Sequence, residues 1–549
     1  MSDLDRREGD TAGGSRPQHP HVILNPITIV GAVIAAVGLG GSTFALIAGF
    51  LNTDPSAVKG VLGYVVMPNI ALFGVLLMGI GVALGAWRAA RVARAADQPP
   101  GVLIEIGGVR QLFGIAAFGA IGLATLLVLG GTAYRGIEFT ESTTFCGSCH
   151  TVMQPQVDAH LTSPHVDVEC AKCHVAYRAS PLGPNATAYV RSKIGGMRQL
   201  IAVITNTYDR PIRAPASAIP KTNETCQQCH APSQDYRIVL RSYAEYATDE
   251  ANTRHTRVLA FNVGSATDQT SNENGPIIHW HAAAKVYYIA TDDTRSTIAW
   301  VGVQGPSGMD EWTNPAAPIA DPSAAKKQLM SCIDCHNRTG HRIPTPDELV
   351  DAALEQGLID RSLPYVKLEA VTLLGGVAPI PSPEVLAANF AKPGWFDQLS
   401  TFYAQRYPAI AASKRDAIQS AIAELKKISG QILYPAMETD WQTYPDNLSH
   451  YLPAGIASTA ANETPGCFRC HGTLVNTKTK QLLPGTMGGG GCLACHTLPT
   501  SGTEAVGPTD PTKTQVCSYC HHTVEEQAVG IETPTAASPP PSVLASATP

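Results

Sequence analysis

The feature that most constrains this chain is a pentapeptide, Cys-x-x-Cys-His, that occurs seven times. The copies are Cys146-Cys149-His150, Cys170-Cys173-His174, Cys226-Cys229-His230, Cys332-Cys335-His336, Cys467-Cys470-His471, Cys492-Cys495-His496 and Cys517-Cys520-His521. Two thiols one tight turn apart can add to the two vinyl groups of a porphyrin, and the adjacent imidazole then reaches the iron. The pattern is that of c-type haem attachment. The motifs use all 14 cysteines, so none is left for a disulfide. Structural zinc sites also use Cys-x-x-Cys pairs, but they do not require a histidine directly after every pair.

Seven covalently bound haem c groups change what the rest of the sequence must supply. Aromatic residues make up only 6% of the 549 residues, and porphyrins would provide much of the missing apolar core. The formal net charge is −6, which gives no basis for a nucleic-acid partner.

Three apolar runs precede the first motif: Ile27–Leu51, Leu62–Trp87 and Leu112–Tyr134. Each approaches or exceeds the roughly 20 residues that cross a bilayer as a helix. The alternative is a set of buried helices in a soluble domain. No small-residue cleavage signature follows the first run, so it reads as an anchor. Arg88, Arg91, Arg94 and Arg110 lie between the second and third runs, whereas the first connection carries only Lys59. This asymmetry places the N-terminus and the second connection in the cytoplasm. Every haem motif then lies on the periplasmic or outer side of the cytoplasmic (inner) membrane.

The expected fold is a three-helix transmembrane anchor plus an extracytoplasmic multihaem cytochrome c domain, mostly α and irregular with a small β-hairpin. The organisation reads as a cytoplasmic tail (1–26), the anchor (27–134), a four-haem region with a hairpin insert (135–344), a helical connector (345–430), a three-haem region (431–525) and a disordered tail (526–549). The hairpin is predicted around a polar Thr291–Arg295 turn, between β-branched and aromatic runs. In the connector, Thr345-Pro346-Asp347-Glu348 offers an N-cap, a proline at the first helical position and a capping-box acid, and Gly357 a stop. Ser382-Pro383-Glu384 starts another helix. Ser413 to Gly430 forms a third, with Ile418, Ile422, Leu425 and Ile428 on one face.

Seven irons also need distal ligands. The chain has 17 histidines; seven belong to motifs, and His19 and His21 fall on the cytoplasmic side. His160, His165, His255, His279, His281, His341, His450 and His522 remain, nearly enough for bis-histidine ligation throughout. His165, His279, His281, His341 and His450 are the preferred candidates, each weighed against an ordinary surface or hydrogen-bonded histidine. Met153, three residues after the first motif, is a candidate ligand that would raise that haem's potential, or else a core methionine. Met487 is a second such candidate.

The segments FCGSCHTVMQP, SPHVDVECAKCH, YVRSKIGGMRQL, NTYDRPI and TCQQCH resemble the NapC/NirT family of membrane-anchored multihaem quinol dehydrogenases. HWH, CIDCHNRTGH, IDRSLPYVKLEAV and PGCFRCHGT are similar to the seven-haem inner-membrane cytochromes of the ImcH type, and so is the three-helix anchor. The resemblance implies a quinol-oxidising electron-transfer oxidoreductase. Menaquinol would pass electrons through seven haems to a periplasmic cytochrome or reductase, or to an outer-surface acceptor, in anaerobic or extracellular respiration. It also implies Met153 as an axial ligand and a lysine beside the quinol headgroup, which here is Lys193. The basic and apolar stretch Tyr189–Leu200 suits the bilayer interface, where Lys193 either serves the quinol or snorkels to lipid phosphates. Two other readings are a terminal multihaem reductase of a small nitrogen oxide and a relay subunit without its own quinol site. Retention of histidine in all seven motifs weighs against an open iron.

Overall fold

The computed structural model describes residues 25–51, 57–95, 109–148, 150–176, 183, 185–213, 219–267, 278–306, 308–377, 379–444, 446–448, 466–471, 473–483 and 496–497. The chain divides into two compact units, one ending at Ser148 and the other beginning at Cys149.

The first unit is the anchor. It contains three helices long and apolar enough to cross a membrane: Pro26–Phe50, Val58–Val92 and Gly119–Glu141. The first is capped by Asn25, whose side chain accepts from the Thr28 amide at 3.0 Å, with Pro26 in the first turn. Its buried face is small: Thr28, Gly31, Ala35, Gly38 and Ser42. A Cβ on Gly38 would lie 2.3 Å from the Ala71 nitrogen, and one on Gly74 would lie 2.3 Å from the Ala35 nitrogen. The first two helices therefore pack backbone to backbone, as small residues permit in a lipid setting. Large apolar residues such as Val33, Phe44, Leu72 and Leu126 face outward, the reverse of a soluble bundle.

The third membrane helix continues seven residues past the expected Tyr134, to Glu141. Arg135 and Glu138 pair across one turn and satisfy each other within it. Ser142 then caps a short turn, Thr143–Cys146, by accepting from the Phe145 amide. Phe139 packs between Tyr64 and Phe145, with ring centroids 6.0 and 5.5 Å away. The first motif cysteine, Cys146, thus follows the anchor with almost no linker.

The second unit is mostly helical, with three small sheets. The strands are β1 (Ile238–Tyr246), β2 (Arg254–Asn262), β3 (Val286–Ala290), β4 (Ile298–Gly305), β5 (Gly308–Thr313), β6 (Gln328–Leu329), β7 (Leu433–Tyr434), β8 (Thr439–Asp440), β9 (Val475–Asn476) and β10 (His496–Thr497). The expected hairpin is β3–β4, the centre of a five-stranded sheet ordered β6-β3-β4-β5-β9. A second hairpin, β1–β2, pairs in full antiparallel register and takes β10 at its other edge.

The connector has a conventional core. Its first helix, Pro346–Glu355, carries the complete Thr345/Glu348 capping box and ends before Gly357 at φ +72°. Pro383–Phe390 follows Ser382, and the long helix runs Arg415–Ile432, two residues later at each end than expected. Ile418, Ile422, Leu425 and Ile428 form its buried stripe against Val350, Leu363, Leu374, Leu399 and Tyr403. Lys367 is 1% exposed and reaches Asp351 at 2.5 Å and Asp347 at 2.9 Å. Asn252, after β1, donates to the carbonyls of Arg361 and Leu363 and accepts from the Lys367 amide. These bonds pin the β1–β2 hairpin to the connector.

Candidate haem-ligating site

The fully described motifs share one local fold. Each is a single helical turn in which the histidine amide donates to the carbonyl of the first cysteine: His230 to Cys226 at 2.8 Å, His336 to Cys332 at 2.8 Å and His471 to Cys467 at 3.0 Å. Such a turn sets the two thiols on one side and the imidazole just beyond them. Cys173, Cys229 and Cys467 are exposed, although unligated cysteines are usually buried.

Four histidine ring pairs stand over these turns. His174 pairs with His341, centroids 6.1 Å apart, and His230 with His165 at 6.1 Å. His336 pairs with His279 at 6.4 Å, and His471 with His281 at 5.8 Å. Every pair joins one motif histidine to one outside the motifs. Two imidazoles on opposite sides of one metal, each nitrogen about 2 Å from it, have centroids about 6 Å apart. Edge-to-face aromatic contact reaches similar distances, but does not by itself select motif with non-motif rings four times. Among the described residues no group of three or more His, Cys, Asp or Glu is placed to hold a metal ion. The paired rings fit a macrocycle-held iron that needs two ligands from the protein.

Two of the partner rings are oriented through Nδ1. His281 Nδ1 lies 2.9 Å from the Ile278 carbonyl and His165 Nδ1 3.4 Å from the Thr339 carbonyl. A donor Nδ1–H there leaves the Nε2 lone pair for a metal. Burial lowers the pKa of His174, His279, His281 and His336. For His341, burial followed by the Arg338 charge takes it down to about 3. Each shift favours the neutral imidazole.

The sites adjoin in chain order. Although Cys173 as a whole residue is exposed, desolvation of its thiol, then the Cys226 thiol, raises its pKa. Burial, then Cys226, does the same for Cys332, and burial, then Cys467, takes Cys335 up to about 11. The second, third, fourth and fifth motifs are therefore successive neighbours. Two short segments bridge them. His279-Trp280-His281 supplies rings to the fourth and fifth motifs. The stretch from His336 to His341 holds the motif ring of the fourth, the carbonyl at His165 of the third, and the partner ring of the second.

The NapC/NirT cytochrome c family model, N-terminal region, matches residues 110–234. The cytochrome c-type protein ImcH of Geobacter sulfurreducens is 31% identical over 530 residues, covering 93% of this chain and 97% of that protein. The chain belongs to the NapC/NirT cytochrome c family, in its ImcH type. No solved structure matches it. As a NapC/NirT cytochrome it carries covalently bound haem c and is a membrane electron-transfer protein.

Of the other candidates in this NapC/NirT chain, His160 is buried beside the His174/His341 pair, its Nδ1 3.0 Å from the Gly340 carbonyl. Met153 is half-buried, one turn after His150 on the helix His150–Leu161. His255 lies in β2 opposite Glu245. Lys193 lies on the helix Ala186–Ile204, its Nζ 4.7 Å over the Tyr189 ring. Cys149, His450, Met487, Cys492, Cys495, Cys517, Cys520, His521 and His522 lie outside the described residues, as do the expected disordered tail and the side chains of His150 and His496. The backbone of His496 pairs with Phe261. Sequence reasoning left out Asp334 and Arg469, whose opposite charges at matching positions of CIDCH and CFRCH were the available signal.

Proposed function

We propose that this chain is a menaquinol dehydrogenase of the cytoplasmic membrane, with seven haems on the outer side and a periplasmic or outer-surface electron acceptor. The observation that carries the reading is the set of four motif/non-motif ring pairs in a chain that also holds three membrane-length helices. Each pair would hold one haem iron. His150, His496 and His521 are the motif ligands of the remaining sites, with Met153 serving the first and His450 one of the last two. Bound haem c supplies the one-electron iron couple. The protein supplies paired neutral imidazoles, burial and spacing.

Quinol must react where a lipid-soluble molecule can reach the outer unit. Along the helix Ala186–Ile204, the residues Val190, Ile194, Met197, Ile201 and Ile204 form an exposed apolar stripe at helical spacing. Arg191, Lys193 and Arg198 flank it. Such a helix lies in the headgroup region, apolar face toward lipid. Lys193 donates to the quinol oxygen and holds the anion left by deprotonation. Loss of two electrons and two protons turns the quinol into quinone, and the protons leave on the outer side. Arg88, Arg91 and Arg94, at the end of the second membrane helix, set the orientation.

The test is anaerobic mixing of purified protein with a reduced menaquinone analogue while haem absorbance is followed. Lys193→Ala is expected to slow reduction at least tenfold, with dithionite reduction and haem content unchanged. An unchanged rate would remove Lys193 from the site. A wild-type protein that analogue cannot reduce would remove quinol oxidation itself.

A further inference from the structure

The fourth and fifth attachment turns are tied together by a buried charged joint. Asp334 is the residue before the second cysteine of the fourth motif, and Arg469 holds the same position in the fifth. Asp334 is 3% exposed. One carboxylate oxygen accepts from the Ser331 amide at 2.7 Å and the Ser331 hydroxyl at 3.1 Å. The other accepts from the Tyr288 hydroxyl at 2.5 Å and from Arg295. Arg295 sits in the β3–β4 turn at φ +61°, a conformation uncommon away from glycine.

Arg469 uses its guanidinium differently. It donates to three main-chain carbonyls: Gly466 in its own loop at 3.0 Å, Arg295 at 2.6 Å and Asp334 at 2.5 Å. One side chain thus spans the fifth motif, the β3–β4 turn and the fourth motif. The joint contains two guanidinium groups and one carboxylate, so it carries net positive charge. Arginine cannot shed that charge, and a charge acts more strongly in a poorly solvated interior than in water. The same two sites are also bridged by His279 and His281, two residues apart.

We propose that Arg469 is a positioning residue that, with Asp334 and Arg295, locks the fourth and fifth haem sites into one unit and raises the reduction potentials of both. The ferrous state carries one positive charge less than the ferric state, so fixed positive charge beside the sites favours reduction. The inference rests on haem attachment at these two motifs and not on the identity of the electron donor.

The test uses full-length, haem-loaded protein, with attachment at each motif checked by peptide mass and potentials measured by spectroelectrochemical titration. Arg469→Gln is expected to lower two of the midpoint potentials by at least tenfold in the reduction equilibrium, about 59 mV for a one-electron couple, and to leave the others in place. Arg469→Lys keeps the charge and is expected to restore most of that shift. Loss of haem from only the fourth and fifth motifs in Arg469→Gln would also support the joint, and Arg295→Gln then serves for the potential. An unchanged titration in a fully loaded Gln variant would overturn the proposal. So would an Arg469→Lys protein that titrates like Arg469→Gln. Absence of haem from these motifs in the wild-type protein would instead refute the attachment reading.

Discussion

The connector and the region of the first three motifs are built on opposite principles. Between Ile343 and Trp441 the chain buries Val350, Ile359, Leu363, Leu374, Leu399, Phe402, Tyr403, Ile418, Leu425 and Ile428 against one another. From residue 143 to residue 236 the buried hydrophobic residues among those described are Val152, Ala159, Ala171 and Ala176. One region closes a core with its own side chains. The other presents thiols and imidazoles on short turns and adds only a few side chains to that same core, Val152 and Ala159 with the half-buried Val203, Tyr208 and Ile212. The first is stabilised by packing; haem held by the second would stabilise it by binding only the folded form.

The largest expected effect breaks the second region alone. In cells unable to attach haem, limited proteolysis of the full chain with mass-spectrometric mapping is expected to cut throughout residues 143–236 while residues 345–444 stay protected. Equal protection of both would abolish the contrast. Next in size, Lys367→Met leaves Asp351 buried without its cation, and is expected to cost about 3–5 kcal/mol in chemical denaturation. Leu425→Ala opens the connector core and is expected to cost about 2–5 kcal/mol. Both variants are expected to keep the haem content of the wild type. The smallest effect on stability, and the most local one, is expected from His279→Ala. One haem is expected to change from low to high spin in the absorption spectrum, with the denaturation midpoint close to that of the wild type.

The same contrast explains what the amino-acid sequence could and could not convey. Local rules govern the connector: Thr345, Pro346 and Glu348 start a helix through neighbours within one turn, and the Ile418–Ile428 stripe follows helical periodicity. Membrane helices are equally local, since length and apolarity suffice. The β1–β2 hairpin was not anticipated, because its strands are joined by a loop without a tight-turn signature. Ring pairing is wholly non-local. Spacing cannot reveal that His341 faces His174, or that His279 and His281, two residues apart, face different motifs. The Arg469 joint depends on a fold that brings the β3–β4 turn between two distant motifs.

If the four ring pairs hold haem iron, each of those irons is six-coordinate and low-spin. Electron paramagnetic resonance of the fully oxidised, purified protein tests it most directly. Low-spin ferric signals of bis-imidazole type from at least four haems per chain are the predicted result. A spectrum dominated by high-spin ferric signals would contradict it.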